Sequence, residues 1–282
     1  MKRSIVISTT APTTHLVDHI YVLRSLPDPR LGTIGPFVFF DHLDRTTLSP
    51  DAGLYVKPHP HAGLQVVTYV FNGKLVHRDS LGNRSVVRPG ELHWLTAGRG
   101  VVHSEESDFG APPVPYDLEL LQIWCSIPQP LKGIAPSFVH YPETKLPITE
   151  MGCARVRVIA GTCGETTSPV EGSSPLVFLD VDCGSDGMVE IPVETGFELG
   201  LYMVAGEAVV GSHKLVKGQF ARLGEAGDVV ALDVRGGSRV VLVGGQPLHE
   251  NTVIGSGFVL NSTDEIRRTE QAYANGLFGS VD

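Results

Sequence analysis

The sequence predicts an all-β fold made of two copies of a sandwich or barrel domain, with one short helix at the C-terminal end. Three observations carry this reading. The 282 residues include 32 glycines and 20 prolines, a density that favours turns over long helices. Short apolar or alternating runs are separated by reversal signals. The second half of the chain repeats the pattern of the first.

The opening stretch, "MKRSIVISTTAPTTHLV", has a basic pair followed by an apolar run too short for the core of a signal peptide. From residue 64 the runs are "LQVVTYVF", "KLVHRDS", "RSVV" and "ELHWLT", punctuated by "NG", "LGN", "RPG" and "AGRG". Each punctuation supplies the positive or fixed φ that a tight reversal needs, so the segment reads as antiparallel strands joined by hairpins. Several such strands make a sandwich or barrel.

Next comes "SIPQPLKGIAPSFVHYPETKLP", whose five prolines suit a linker between two domains. Beyond it, "LYMVAG" (201–206) aligns with "TYVFNG" (68–73), and "VKGQF" (216–220) with "RPGEL" (88–92). The offsets are 133 and 128 residues, obtained as 201 − 68 and 216 − 88. A period that long indicates duplicated domains, not a solenoid. The division expected is 1–130 for the N-terminal domain and 131–282 for the C-terminal one. The one helix signal is "NSTDEIRRTEQAYANG", with a Ser262 or Thr263 cap, acids in its first turn and a stop at Asn275-Gly276.

Composition narrows the function. Hydrophobic content of 42% with 19% charged residues is globular, and a net charge of −9 lacks the basic footprint that nucleic-acid backbones require. No run approaches the roughly 18 apolar residues of a membrane span. Cys125, Cys153, Cys163 and Cys183 are scattered with no C-x-x-C pair, the pattern of reduced thiols in a cytoplasmic protein. A Cys153–Cys163 bridge across a hairpin would be a rarity in that compartment. Phosphate-binding loops, a dinucleotide fingerprint and a serine nucleophile elbow are all absent from the sequence.

Four residues stand out as metal ligands. "VKPHPHAGLQVV" carries His59 and His61, and "AGRGVVHSEE" carries His103 and Glu105. Spacing alone is weak, since 11 histidines give about 0.4 H-x-H pairs by chance in a chain this long. Placement is stronger. Residues i and i+2 of a strand share a face, so His59 pairs with His61 and His103 with Glu105, while Glu106 faces away. If the two strands are neighbours, three imidazoles and one carboxylate converge. That donor set favours a divalent first-row ion such as Fe, Mn, Ni, Cu or Zn, and six-coordination leaves two open positions, as catalysis needs.

Other residues have blander readings. His42 and His77 are expected to be surface or hydrogen-bonded histidines, Trp94 and Trp124 core or pocket-wall residues, and Arg99 an exposed turn residue. Gln65 is a candidate partner for a ligating imidazole.

The stretches "KPHPHAGLQVVTYVFNGKLVHRDSLGN", "GELHWLTAGRGVVHSEE" and "GFVLNSTDEIRRTEQAYANGLFG" resemble the pirin family of the cupin superfamily. The resemblance covers nearly the whole chain. It implies two cupin barrels of the double-stranded β-helix, or jelly-roll, type, with Fe(2+) in the N-terminal barrel held by His59, His61, His103 and Glu105. Other first-row metals, Mn, Ni, Cu or Zn, would suit the same set. The general cupin motif fits at Gly53, His59 and His61, but its glutamate place holds Gln65, which leaves Glu105 as the carboxylate. In the second copy the ligand positions become Pro192, Glu194, Ala231 and Asp233. Two carboxylates alone do not suit a borderline ion, so that barrel is expected to lack metal.

The activity the resemblance implies is quercetin 2,3-dioxygenase-type ring cleavage of a flavonol-like substrate with O2, with Glu105 as the catalytic proton acceptor. The alternative is an iron-dependent regulator that binds a transcription factor or metabolic enzyme. A zinc or manganese isomerase is a third reading. A monomer is expected.

Overall fold

The computed structural model describes residues 1–111 and 113–281. The chain forms two compact units, each with one seven-stranded and one four-stranded antiparallel sheet.

One unit comprises Met1–Pro12, Leu23–Phe39 and Thr144–Leu248. Its larger sheet runs Ile5–Thr10, Gln219–Leu223, Glu198–Ala205, Arg239–Gly245, Leu176–Cys183, Ala154–Ala160 and Ile148–Met151. Its smaller sheet holds Gly187–Pro192 beside Val229–Val234. Alternation sets what this barrel contains: Val189, Ile191, Val230, Leu232 and Val234 are buried in one aliphatic core. Of the four positions aligned with the metal ligands, Ala231 is buried, whereas Pro192, Glu194 and Asp233 are exposed.

The other unit comprises Thr13–Val22, Phe40–Glu143 and the segment from His249 onward. Its larger sheet includes Ser137–Tyr141, Leu92–Thr96, Leu64–Asn72 and Tyr116–Ser126 as successive neighbours. Its smaller sheet is ordered Tyr55–His61, Val101–Ser107, Leu75–Asp79 and Arg84–Val87. Tyr55–His61 is an edge strand, the position where Pro58 and Pro60 forfeit least, because an edge has hydrogen-bonding groups with no ladder partner.

Three features differ from the sequence reading. Strands fall where the alternating runs predict, but of the four runs only Leu75–Asp79 and Arg84–Val87 form a hairpin. Leu64–Asn72 pairs with Leu92–Thr96, so the chain passes to the other sheet after Asn72-Gly73 and returns. The reversal signals fix where the chain turns, not which sheet receives the next strand. The proline-rich linker contains the strand Ser137–Tyr141, paired with Leu92–Thr96. At the chain ends, Ile5–Thr10 pairs with Gln219–Leu223, and the segment from His249 onward falls in the unit that holds Phe40–Glu143.

That segment supports the site. The helix Thr263–Ala274 is capped by Ser262, whose side chain accepts from Glu265 N, and it ends at Asn275, as its sequence signals predict. Phe258, Leu260, Ile266 and Phe278 bury themselves against Ala62 and Val102, the neighbours of His61 and His103. Gly100, at φ +143, lets the Phe278 ring lie where a side chain would stand. This is the close approach that "AGRG" allows.

Candidate metal centre

The strands Tyr55–His61 and Val101–Ser107 are antiparallel neighbours with His59 opposite His103 and Val101 opposite His61. The pairing expected from sequence is therefore present. His59, His61 and His103 each turn one ligand atom toward a common point, and the three atoms lie within 4.8 Å of one another. His103 Nε2 is 3.0 Å from His59 Nε2.

The outer nitrogens explain the orientation. His59 Nδ1 lies 2.8 Å from Lys57 O, and His61 Nδ1 lies 2.8 Å from Gly257 O. A carbonyl only accepts, so each Nδ1 carries the proton and each Nε2 presents a bare lone pair. His103 Nδ1 lies 3.4 Å from His77 Nδ1. The Trp124 ring stands edge-on to His61 at 5.1 Å, a wall of the site.

Charge state agrees with this arrangement. Burial, then the neighbouring His59, drive the His61 pKa down to about 3, against a smaller upward effect of its bond to Gly257. Burial, followed by the other imidazoles, holds His103 well below the ordinary value. Neutral imidazoles are what a cation requires.

Glu105 is not in the three-atom group. The ladder to Tyr55–His61 shifts register between His103 and Glu105, and Glu105 falls opposite Val56. Its carboxylate accepts from Gln122 Nε2 at 3.3 and 3.4 Å. The Thr68 hydroxyl lies 2.7 Å from Gln122 Oε1 and 3.2 Å from Glu105 Oε1. Thr68 and Gln122 are cross-strand partners in the larger sheet, so Glu105 reaches across the barrel interior. It is 7% exposed, and these partners are neutral. A buried carboxylate among neutral groups calls for a nearby cation.

The donor set fits a metal ion on two counts. The facing ring nitrogens of His59 and His103 are 3.0 Å apart, and imidazole nitrogen suits a divalent first-row ion. The buried carboxylate supplies the compensating negative charge.

The remaining candidates sort out as follows. Gln65 is buried and donates to Thr96 Oγ1 at 2.9 Å, so the amide in the cupin glutamate place bonds within its own sheet. His77 is buried. Trp94 is buried, and Arg99 is an exposed turn residue whose N–H donates to Ile134 O. The cysteines are free; burial pushes the Cys163 thiol up to about 11 and contributes most to raising Cys183 to about 12. A second group, His42, Asp44 and Glu119, has a cation beside it already, Arg45 Nε lying 3.7 Å from Glu119 Oε2. Among the described residues no helix is long and apolar enough to cross a membrane.

Sequence reasoning missed Gly257, Thr68 and Gln122. Gly257 lies 196 residues from His61, and its carbonyl carries no side-chain signature. Thr68 and Gln122 read as ordinary strand residues.

The comparisons with known proteins agree with the geometry. The chain matches the Pirin family over residues 20–125 and the Pirin C-terminal cupin domain over residues 178–279. It is 34% identical over 275 residues to the Pseudomonas aeruginosa protein named "Putative quercetin 2,3-dioxygenase PA1205", covering 97% of this chain and 85% of that one. The chain belongs to the pirin family. This pirin-family chain superposes on a crystal structure of quercetin 2,3-dioxygenase from Acinetobacter baumannii with a TM-score of 0.92 at 30% identity, covering 98% of this chain and 91% of that one. The Escherichia coli pirin YhhW in complex with nickel(II) shares the fold, with a TM-score of 0.65 at 17% identity over 86% of this chain and 100% of that one. The two-barrel cupin architecture is thus common to this family member and its neighbours.

Proposed function

We propose that this pirin-family protein is a metal-dependent dioxygenase that opens the ring of a flavonol with O2, with Fe(2+) held by His59, His61, His103 and Glu105. The observation that carries the proposal is the inward orientation of three imidazoles, two of them with the outer nitrogen committed to a backbone carbonyl. The names of the Pseudomonas and Acinetobacter proteins support the substrate class.

When bound, the ion supplies Lewis acidity and a template for two reactants at open positions. The chain's own residues do the rest. Lys57 O and Gly257 O fix the His59 and His61 rings. Gln122 and Thr68 hold the Glu105 carboxylate in the barrel interior, where it accepts the proton of the flavonol hydroxyl. Trp124 closes the His61 side of the site.

The test is aerobic incubation of iron-loaded protein with quercetin. Loss of the flavonol absorbance with formation of ring-opened product is expected. Full metal occupancy without turnover would contradict the enzyme reading and favour the iron-dependent regulator, whose ligand set is the same. Elemental analysis of protein purified without added metal checks the ion, and zinc or manganese in place of iron would contradict the iron assignment.

A further inference from the structure

Two of the three imidazoles have carbonyl partners, which settles their tautomers. The third does not. His103 Nδ1 faces His77 Nδ1 at 3.4 Å, and between two imidazole nitrogens a proton can sit on either side. We propose that Asp79, acting through His77, fixes His103 in the tautomer that leaves Nε2 bare toward the ion; the inference rests on the metal-centre reading above.

The argument follows the hydrogen bonds inward from the carboxylate. His77 Nε2 lies 3.0 Å from Asp79 Oδ2. A carboxylate only accepts, so His77 Nε2 carries a proton, and the singly protonated ring has a bare Nδ1. That Nδ1 accepts from His103 Nδ1–H. His103 Nε2 is then free of its proton. Asp79, His77 and His103 are 4%, 3% and 1% exposed, so water does not compete for these positions.

The scaffold holds the chain in place. His103 is opposite Asp79, and Glu105 opposite His77, in the ladder between Val101–Ser107 and Leu75–Asp79. Asp79 Oδ1 accepts from Leu81 N at 2.9 Å, Asn83 N at 3.1 Å and Asn83 Nδ2 at 3.0 Å. This leaves Oδ2 for His77 and a further contact with Asn83 Nδ2 at 2.9 Å. The His77 ring is stacked on Phe138 at 4.4 Å and 6°, which fixes its plane. The assembly is a carboxylate–imidazole–imidazole relay behind one ligand. Partners of this kind orient ligating histidines and raise their basicity. Asp79 and His77 are positioning residues, not catalytic ones.

Asp79→Asn is the informative change. Its Oδ1 must still serve Leu81 N and Asn83 N, so its amide NH2 faces His77 Nε2 as a donor. His77 then protonates at Nδ1 and the sense of the chain reverses at His103. His77→Phe keeps volume and the Phe138 stack but removes the acceptor. The full-length protein and both variants are compared by ring-nitrogen NMR in the metal-free form and by Ni(II) affinity against a competing chelator, with circular dichroism checking the fold.

The native protein is expected to show His103 protonated at Nδ1 alone. The variants are expected to bind Ni(II) about 10- to 100-fold more weakly, with Asp79→Asn moving the His103 proton to Nε2. Native His103 protonated at Nε2, or folded variants that hold Ni(II) as tightly as the native chain, would overturn the inference. If one variant fails to fold, the other and the native spectrum decide. Native protein that takes up no Ni(II) would sink the metal-centre reading, while its ring-nitrogen spectrum would still judge the relay.

Discussion

His103 Nε2 stands 3.0 Å from His59 Nε2, and the N–H of His59 Nδ1 donates to Lys57 O, which leaves His59 Nε2 without a proton. Two lone pairs pointed at each other repel unless a proton or a cation lies between them. A cation relieves this without breaking the carbonyl contact. Metal binding should therefore stabilise the fold, by about 2.7 kcal/mol when free metal is 100 times its Kd. Thermal melts of the metal-free protein with and without Ni(II) check this. A His59→Ala variant should lose most of the response, and an unchanged shift in it would contradict the assignment.

Glu105 is proposed as both ligand and proton acceptor, and Glu105→Gln separates those roles from packing. The amide keeps the shape and its contacts with Thr68 and Gln122, so the fold should persist. Flavonol turnover should fall by about 10²- to 10⁴-fold, the range for loss of a general base. Turnover at the native rate would remove Glu105 from the mechanism.

Gly257 sits at φ +84, and a Cβ there would lie 2.5 Å from Pro60 O and 3.4 Å from His61 Nδ1. Gly257→Ala therefore meets backbone strain of about 1–2 kcal/mol and pushes on the strand that carries two ligands. We expect a lower Tm together with weaker Ni(II) retention. A lower Tm with unchanged retention would show that the His61 contact is dispensable.

His93 adds to the acid limit that the buried ligand histidines set on the metal-free fold. Burial, then the charges of His77 and His140, lower its pKa to about 2, and its Nε2 lies 3.0 Å from Ser85 Oγ. The unfolded chain takes a proton near the ordinary value of 6.5 while the folded chain does not. The stability is thus fully present above that pH and declines as pH falls toward the depressed folded value, by on the order of 1 kcal/mol per pH unit. Urea unfolding of metal-free protein at pH 7 and pH 5 measures it. His93→Gln should lower the slope, leaving the share that belongs to the buried His61 and His103, and an equal slope in both proteins would contradict the assignment.

Legibility followed the range of the interaction. The strand runs and the Ser262-capped helix are local patterns, and each appears where its residues predict. His59, His61 and His103 were readable because alternation fixes which residues share a face and because imidazoles are rare enough to notice. What stayed hidden depends on contacts distant in sequence or carried by backbone. Gly257 contributes only a carbonyl. Asp79 acts through His77, and the pair has the same His-x-acid spacing as His103 and Glu105, so spacing alone did not tell ligand from support. Glu105 has the expected spacing, but the register shift after His103 and the opposing Thr68–Gln122 pair decide where its carboxylate rests. The strand Ser137–Tyr141 was concealed by flanking prolines that look like a linker.

The central claim is that one ion sits among His59, His61 and His103. Anomalous diffraction at the iron edge, from crystals grown with ferrous salt under anaerobic conditions, tests it most directly. The account predicts a single strong peak within bonding distance of the three Nε2 atoms. A peak elsewhere, or none there at full iron loading of the protein, would contradict it.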